Sequence, residues 1–330
     1  MAFNITIIGL GQIGSSIGLA VADQIEGLKR VGSDREPKIM RAAAKLGAVD
    51  KTIFNLPASV KEADLVIVSL PTDQIRETLS IIAEDLKPNA VVMDTAPVKE
   101  TIANWAKELL PEGRHYVGLT PVINPAYLQI HDSGVEAARA DLFRRGLMVI
   151  VAPLHTPSEA VKLASDLTRI LGASPLFTDP VEVDSLMAAT HLLPQLLAAA
   201  LLNITVDQPG WYEGRKLAGR AYTEVTGPLV QLGDAAGLAS ASLLAGSSMV
   251  RVIDNAIAAL GAMRNDIQDQ DIKTLTQRIE RARSGRDHWW AERLTSNWAE
   301  QEMAPRGETP SSGEVFGRLI GLRPKQKPKP

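Results

Sequence analysis

The most constraining segment is Phe3–Ile8 followed at once by Gly9-Leu10-Gly11-Gln12-Ile13-Gly14 and an apolar run to Val21. A short β-rich run, a turn punctuated by three glycines and a helix-like stretch make a strand–turn–helix unit. A second strand, Lys29–Ser33, ends at Asp34. Glycines in this pattern are a weak signal alone. With a strand before them, a helix after them and an acid closing the next strand, they form a dinucleotide-binding fingerprint. Gly9 permits the tight turn, Gly11 lets the backbone approach a pyrophosphate, and Gly14 lets helix and strand pack closely. The pyrophosphate is expected on the positive end of the helix that begins near Gln12, with Leu10 and Ile13 in the same contact. Asp34 is expected to accept from the adenosine ribose hydroxyls and to repel a 2′-phosphate, which favours NAD. Arg35 beside it can pair with that phosphate, so NADP stays open.

The alternation continues along the chain. Pro37–Leu46 reads as a helix, and Ala63–Ser69 as a continuous apolar strand of the kind buried parallel sheets contain. Ile75–Leu86 and Lys99–Leu110 read as helices, with Ala90–Met93, Tyr116–Leu119 and Leu147–Ala152 as strands. This predicts an α/β fold with a doubly wound parallel sheet of the Rossmann type. Ser69, Leu70 and Pro71 close a strand at its carboxyl end, where such sheets bind ligands. Beyond Pro153–Pro157 the pattern changes. A helix over 158–171 and a short strand over 173–177 precede helices at about 181–206, 212–224, 228–244, 248–263 and 268–302. The expected organisation is a dinucleotide-binding domain over 1–155, an all-helical substrate and dimerisation domain over 156–304, and a flexible Pro-, Gly-, Ser- and Lys-rich tail over 305–330.

Composition removes several function classes. A net charge of −3 offers no footprint for nucleic acid. The absence of cysteine excludes disulfides, thiolate catalysis and Cys-ligated zinc, and fits a reducing, cytoplasmic compartment. His115, His131, His155 and His288 lie in separate segments without metal-ligand spacing, so no metal is expected. The stretch from Leu186 to Ile204 approaches membrane-spanning length but carries Thr190, His191, Pro194, Gln195 and Asn203, so a buried helix is expected rather than a span. Its apolar character on nearly every face predicts a homodimer.

Candidate chemical groups are few. His191 lies on that helix, with Asp184 seven residues before and Gln195 four after, a predicted polar stripe. Either the stripe faces a cleft and His191 is a general base, or His191 is buried and satisfied by a backbone carbonyl. Lys99 opens a helix, and either polarises a bound group or is a solvated first-turn lysine. Arg215 and Lys216 follow a turn, and either meet a carboxylate or stay in solvent. Arg278, Arg281, Arg283, Arg286 and Arg293 read as the solvated face of a long helix.

Several segments together resemble the prephenate/arogenate dehydrogenase family of tyrosine biosynthesis. Gly9–Ser16, Val31–Asp34 and Ala63–Pro71 are shared with many dehydrogenases. Asp94-Thr95-Ala96-Pro97-Val98-Lys99, Tyr116–Pro121 and Thr190-His191-Leu192-Leu193-Pro194-Gln195 point to this family. The resemblance implies hydride transfer from a ring carbinol carbon to a nicotinamide, with loss of CO2 and aromatisation, on a small carboxylated substrate. It places Thr95 at the cofactor, Thr120 and Lys99 with His191 in the catalytic set, and Gln195 and Glu224 near the substrate, where the reading of the residues adds Arg215. There are departures. The serine of the family's Asp-x-Gly-Ser-Val-Lys falls on Pro97, the histidine of Gly-Gly-His-Pro on Thr120, and the last histidine of Ser-His-Leu-Pro-His on Gln195. The spacing from His191 to Pro194 is one residue longer than the family's, and the family's substrate arginine falls on Glu224. Two alternatives therefore stand: a dehydrogenase of the same fold for another hydroxy acid, or a cofactor-binding protein without catalysis.

Overall fold

In the computed structural model, residues 3–22, 24, 27–130, 132–230 and 233–295 are described. The expected tail over 305–330 lies outside them. Eight strands form one sheet in the order β3-β2-β1-β4-β5-β6-β7-β8. They are β1 (Asn4–Ile8), β2 (Lys29–Ser33), β3 (Lys51–Thr52), β4 (Leu65–Val68), β5 (Val91–Asp94), β6 (His115–Val122), β7 (Leu147–Val151) and β8 (Ser174–Phe177). The helices between them are α1 (Gln12–Val21), α2 (Pro37–Leu46), α3 (Leu56–Val60), α4 (Thr72–Ile82), α5 (Glu100–Leu109) and α6 (Ser158–Ile170). Local chemistry sets several ends. Pro37 opens α2, where a missing N–H costs nothing, and Gly47 closes it at φ 81°. Asn55 caps α3 by accepting from the Ala58 amide.

Both sheet faces are covered, which is why β4 is buried throughout. In β1, Ile5 and Ile7 join one core layer with Leu65, Met93 and Ile150, whereas Ile8 joins the other with Val66, Val68 and Val92. The second layer also takes Ala188, Leu192, Ala241, Ala245, Met249 and Val252 from the carboxyl-terminal helices. Those helices thus complete a layer begun by α4 and α5.

The fold departs from the sequence reading in three places. The sheet is not wholly parallel, because β7 runs antiparallel to β6. The described residues among 123–146, which join the two strands, form short turns and no crossover helix, and only a parallel pair requires such a crossover. The sheet does not end near residue 155 either: α6 returns the chain to β8, which pairs with β7, and the helical region begins at Pro180. The helix expected over 212–224 is broken at Gly219 into α9 (Trp211–Leu217) and α10 (Arg220–Thr226).

The remaining helices are α7 (Pro180–Met187), a π segment (Ala188–Leu192), α8 (Leu193–Asn203), α11 (Ala235–Leu244), α12 (Gly246–Gln268) and α13 (Ile272–Thr295). The first three form one continuous helix, Pro180–Asn203, apolar and long enough to cross a membrane by length and composition, with only 17% of its most apolar window buried. The expectation of a buried helix therefore fails within a single chain. One neighbour on one side cannot cover a helix that is apolar on most faces. The arginine face of α13 is also not wholly solvated: the Arg293 guanidinium is buried and donates to the Ile123 carbonyl, tying α13 back to the sheet.

Candidate functional site

Strand order reverses at β1 and β4, and open α/β sheets bind ligands at the carboxyl ends of the strands beside such a switch. Gly9 follows β1 at φ 89°, a left-handed conformation that glycine adopts without strain. A Cβ on Gly9 would lie 2.2 Å from the Ser69 carbonyl oxygen, and one on Gly14 2.0 Å from the Gly9 carbonyl oxygen. These two glycines are required by packing. Gly11 differs, because a Cβ there meets nothing within 4 Å. It caps α1 without a side-chain hydrogen bond, so the first-turn amides, which have no intrahelical acceptor, face the same open space. Asp34 accepts from the Leu10 amide at 2.9 Å and the Glu36 amide at 2.9 Å, which locks the turn to the end of β2. Arg35 beside it is exposed. A glycine turn shaped by packing, an open helix N-terminus and a carboxylate at the next strand end fit a dinucleotide.

A cleft of about 630 Å³ lies where the sheet meets the helical region. Its sheet side is Ile13, Ser69–Thr72, Thr95–Pro97 and Leu128, and its helical side comes from Thr190–Leu192, Pro194, Gln195, Glu224, Gly227, Pro228 and the start of α11. Thr95 donates to the Ser69 hydroxyl at 3.2 Å, joining the ends of β4 and β5. The helical wall stands close, since a Cβ on Gly237 would lie 3.0 Å from that of Pro71.

His191 opens onto this cleft from the π segment, and among the described residues its imidazole has no hydrogen-bond partner. The walls around it desolvate the ring and hold its pKa below the ordinary value of 6.5, which favours the neutral imidazole. The reading of a buried histidine bound to a carbonyl is thus replaced by an open one. The π segment also accounts for the extra residue between His191 and Pro194, because one residue added to a helix is absorbed by widening a single turn. A wider turn takes more residues per revolution, so His191 falls off the face of Asp184. That dissolves the expected polar stripe. Gln195 still shares the cleft, its amide donating to the His191 carbonyl at 2.9 Å.

Asp184 is buried and faces the other way. Its carboxylate accepts from the backbone amides of Lys99 at 2.5 Å and Glu100 at 3.1 Å, capping α5 from the helical region. Burial raises its pKa, and the two amides oppose that shift. Lys99 is completely buried, so neither reading of it holds. Its ammonium pairs with Asp94 at 2.6 Å, and burial pulls its pKa down against the pull of that carboxylate. Asp94 also accepts from the Tyr116 hydroxyl at 2.5 Å and the Ala96 amide at 2.8 Å. Burial beside Asp94 pushes the tyrosine pKa well up. This cluster holds the Thr95–Pro97 loop from behind, and none of its side chains lines the cleft.

Thr120 and Arg215 are also corrected. Thr120 is buried on β6 and does not line the cleft; its hydroxyl donates to the Ala96 carbonyl at 3.3 Å. Arg215 lies outside the cleft with its guanidinium over the Tyr212 ring at 4.6 Å, and Lys216 pairs with Glu213 at 2.8 Å. Glu224 does line the cleft. Sequence reasoning missed Asp234, which caps α11 by accepting from the Ala236 amide and also faces the cleft. An aspartate before a run of small apolar residues is a helix-start signal that marks the place, though not its use.

Residues 17–175 match the family described as prephenate dehydrogenase, nucleotide-binding domain. The chain is 27% identical over 228 residues to the prephenate dehydrogenase of Bacillus subtilis, covering 68% of this chain and 60% of that one. It is 30% identical over 200 residues to the prephenate dehydrogenase of Lactococcus lactis, covering 60% and 52%. It therefore spans between half and two thirds of these relatives. A solved prephenate dehydrogenase from A. aeolicus, in complex with hydroxyphenyl propionate and NAD+, superposes with a TM-score of 0.76 at 19% identity, covering 87% of this chain and 98% of that one.

Proposed function

From the match of residues 17–175 to the nucleotide-binding domain of the prephenate dehydrogenase family, we propose that the chain is a cytoplasmic NAD-dependent oxidoreductase of the prephenate/arogenate dehydrogenase type. The observation that carries this reading is the His191 imidazole, without a hydrogen-bond partner among the described residues, opening onto the cleft beside the strand ends that follow the glycine turn. A nicotinamide dinucleotide bound at that turn supplies the hydride acceptor. Gly11 and the first turn of α1 hold its pyrophosphate, and Asp34 holds the adenosine ribose through oxygens that retain free lone pairs.

His191 takes the hydroxyl proton as hydride leaves the carbinol carbon, a role open to an imidazole that is neutral near pH 7. Thr120 and Lys99 support the Thr95–Pro97 wall from behind. The helical wall reduces access of water to the reacting carbon. The exposed apolar side chains Leu186, Ile204, Leu243, Val250, Ile257 and Leu260 support assembly as a homodimer through the helical region. Light scattering tests that assembly, and a 35.5 kDa particle at micromolar concentration counts against it.

The activity is tested by following NADH formation with prephenate, arogenate and a panel of small hydroxy acids, alongside calorimetric titration with NAD. Turnover of a cyclohexadienyl substrate supports the reading. Turnover of another hydroxy acid alone moves it to that substrate, and NAD binding without any turnover moves it to a non-catalytic role.

A further inference from the structure

We propose that the cleft selects a substrate carrying a protonated primary amine, met by Glu224 and Asp234; this rests on the reading of the cleft as the reaction site. Among the described residues, the ionisable side chains lining it are His191, Glu224 and Asp234, with no lysine or arginine. His191 is favoured neutral, so the fixed charge of the walls is negative. Glu224 has no hydrogen bond or ion pair among the described residues, and Arg220, one turn earlier on the same helix, does not pair with it. Asp234 spends one oxygen on the Ala236 amide at 2.9 Å, and among the described residues the other has no hydrogen-bond partner.

None of the cations expected near the substrate lines the cleft. Lys99 is buried against Asp94, Arg215 stacks on Tyr212 and Lys216 pairs with Glu213. Carboxylates accept hydrogen bonds and donate none, whereas an ammonium offers three donors and the opposite charge. In a partly enclosed cleft, like charge repels a purely anionic keto acid and favours an otherwise similar molecule that carries an amine. The acid at residue 224 is therefore a specificity determinant.

The test titrates the full-length, NAD-loaded protein with two ligands that differ only in the α-amine: L-tyrosine and 3-(4-hydroxyphenyl)propionate. Tyrosine is expected to bind at least about tenfold more tightly, the scale of one charge-assisted hydrogen bond. Glu224→Gln keeps the shape and removes the charge. It is expected to weaken tyrosine about tenfold, to leave the propionate bound as tightly or more tightly, and to leave the NAD affinity unchanged. In turnover, the kcat/KM ratio of arogenate to prephenate is expected to fall in this variant through KM rather than kcat.

Equal binding of the two ligands, a preference for the propionate, or failure of both to bind overturns the inference. An unchanged preference in Glu224→Gln also overturns it, as does a variant whose only defect is weaker NAD binding. A tyrosine preference that depends on Glu224, in a protein that turns over neither cyclohexadienyl substrate, leaves amine selectivity standing and removes the proposed reaction instead.

Discussion

The sheet side of the cleft is organised by backbone, and its helical side by side chains. Around the glycine turn the ligand-facing groups are amides at the start of α1, and their positions follow from two glycines that admit no Cβ. Across the cleft, the groups that face inward are His191, Gln195, Glu224 and Asp234, carried by a π turn, short helices and a cap. A backbone site tolerates little change and serves one ligand class. A side-chain site on a fixed frame can be re-specified one residue at a time. This explains why the cofactor side keeps its fingerprint while the opposite wall has glutamate and glutamine where the resembled family has arginine and histidine.

The strongest way to break the comparison is within the turn. Gly11→Val is expected to abolish measurable NAD binding in calorimetry while the melting temperature stays near wild type, because the space beside Gly11 is empty of protein. Gly14→Ala is expected to do the reverse, lowering stability through collision with the Gly9 carbonyl. If Gly11→Val binds NAD normally, the open space is not the pyrophosphate site.

On the opposite wall, His191→Asn is expected to cut turnover by ~10²–10⁴-fold, the usual contribution of a general base. NAD affinity and melting temperature should hardly move, since among the described residues the imidazole has no hydrogen-bond partner to lose. The sign of the pH dependence follows from the depressed pKa. The base works when neutral, so activity is present above that pKa and lost as pH falls through it, placing the acid limb below 6.5. A variant as active as wild type would remove His191 from the chemistry.

Lys99 provides the contrast, a charged group near the cleft that serves the frame. Lys99→Met leaves Asp94 buried without its ammonium and is expected to cost about 3–5 kcal/mol in denaturant unfolding. The folded remainder should bind NAD and turn over normally. A stable Lys99→Met protein with lost turnover would return Lys99 to the catalytic set.

The same contrast governs how much was legible in the sequence. The strand–turn–helix and its acid were readable because they follow local rules of backbone conformation and packing. The antiparallel β7 could be missed because a buried apolar strand reads the same in either direction, and its clue was the lack of a helix between 123 and 146. Thr120, Lys99 and Asp184 were misplaced for one reason: spacing along the chain says which residues share an element, not which side of a loop they support. The extra residue before Pro194 was visible as a number, but its absorption into a π turn, with the loss of the Asp184–His191 stripe, depends on tertiary packing. Asp234 was hidden because a capping aspartate looks the same whether its second oxygen meets water or a ligand.

The smallest expected effect lies at Asp34, where the two modes of construction meet. Its side chain does a backbone job, accepting from Leu10 and Glu36, and also presents charge to the adenosine ribose. Asp34→Ser removes the charge and leaves one oxygen to serve two amides, so NAD affinity falls for two reasons that a single titration cannot separate. The ratio of NADP to NAD affinity separates them. A loosened turn weakens both cofactors alike, whereas loss of the carboxylate relieves repulsion of the 2′-phosphate alone and leaves Arg35 free to pair with it. The ratio is expected to shift toward NADP by roughly 10–100-fold, one to two charge-assisted contacts. Adding Arg35→Ala to that variant should take back most of the shift. A wild-type protein that already prefers NADP, or a ratio that Asp34→Ser leaves unchanged, would show that Asp34 only ties the turn and that selectivity is set elsewhere.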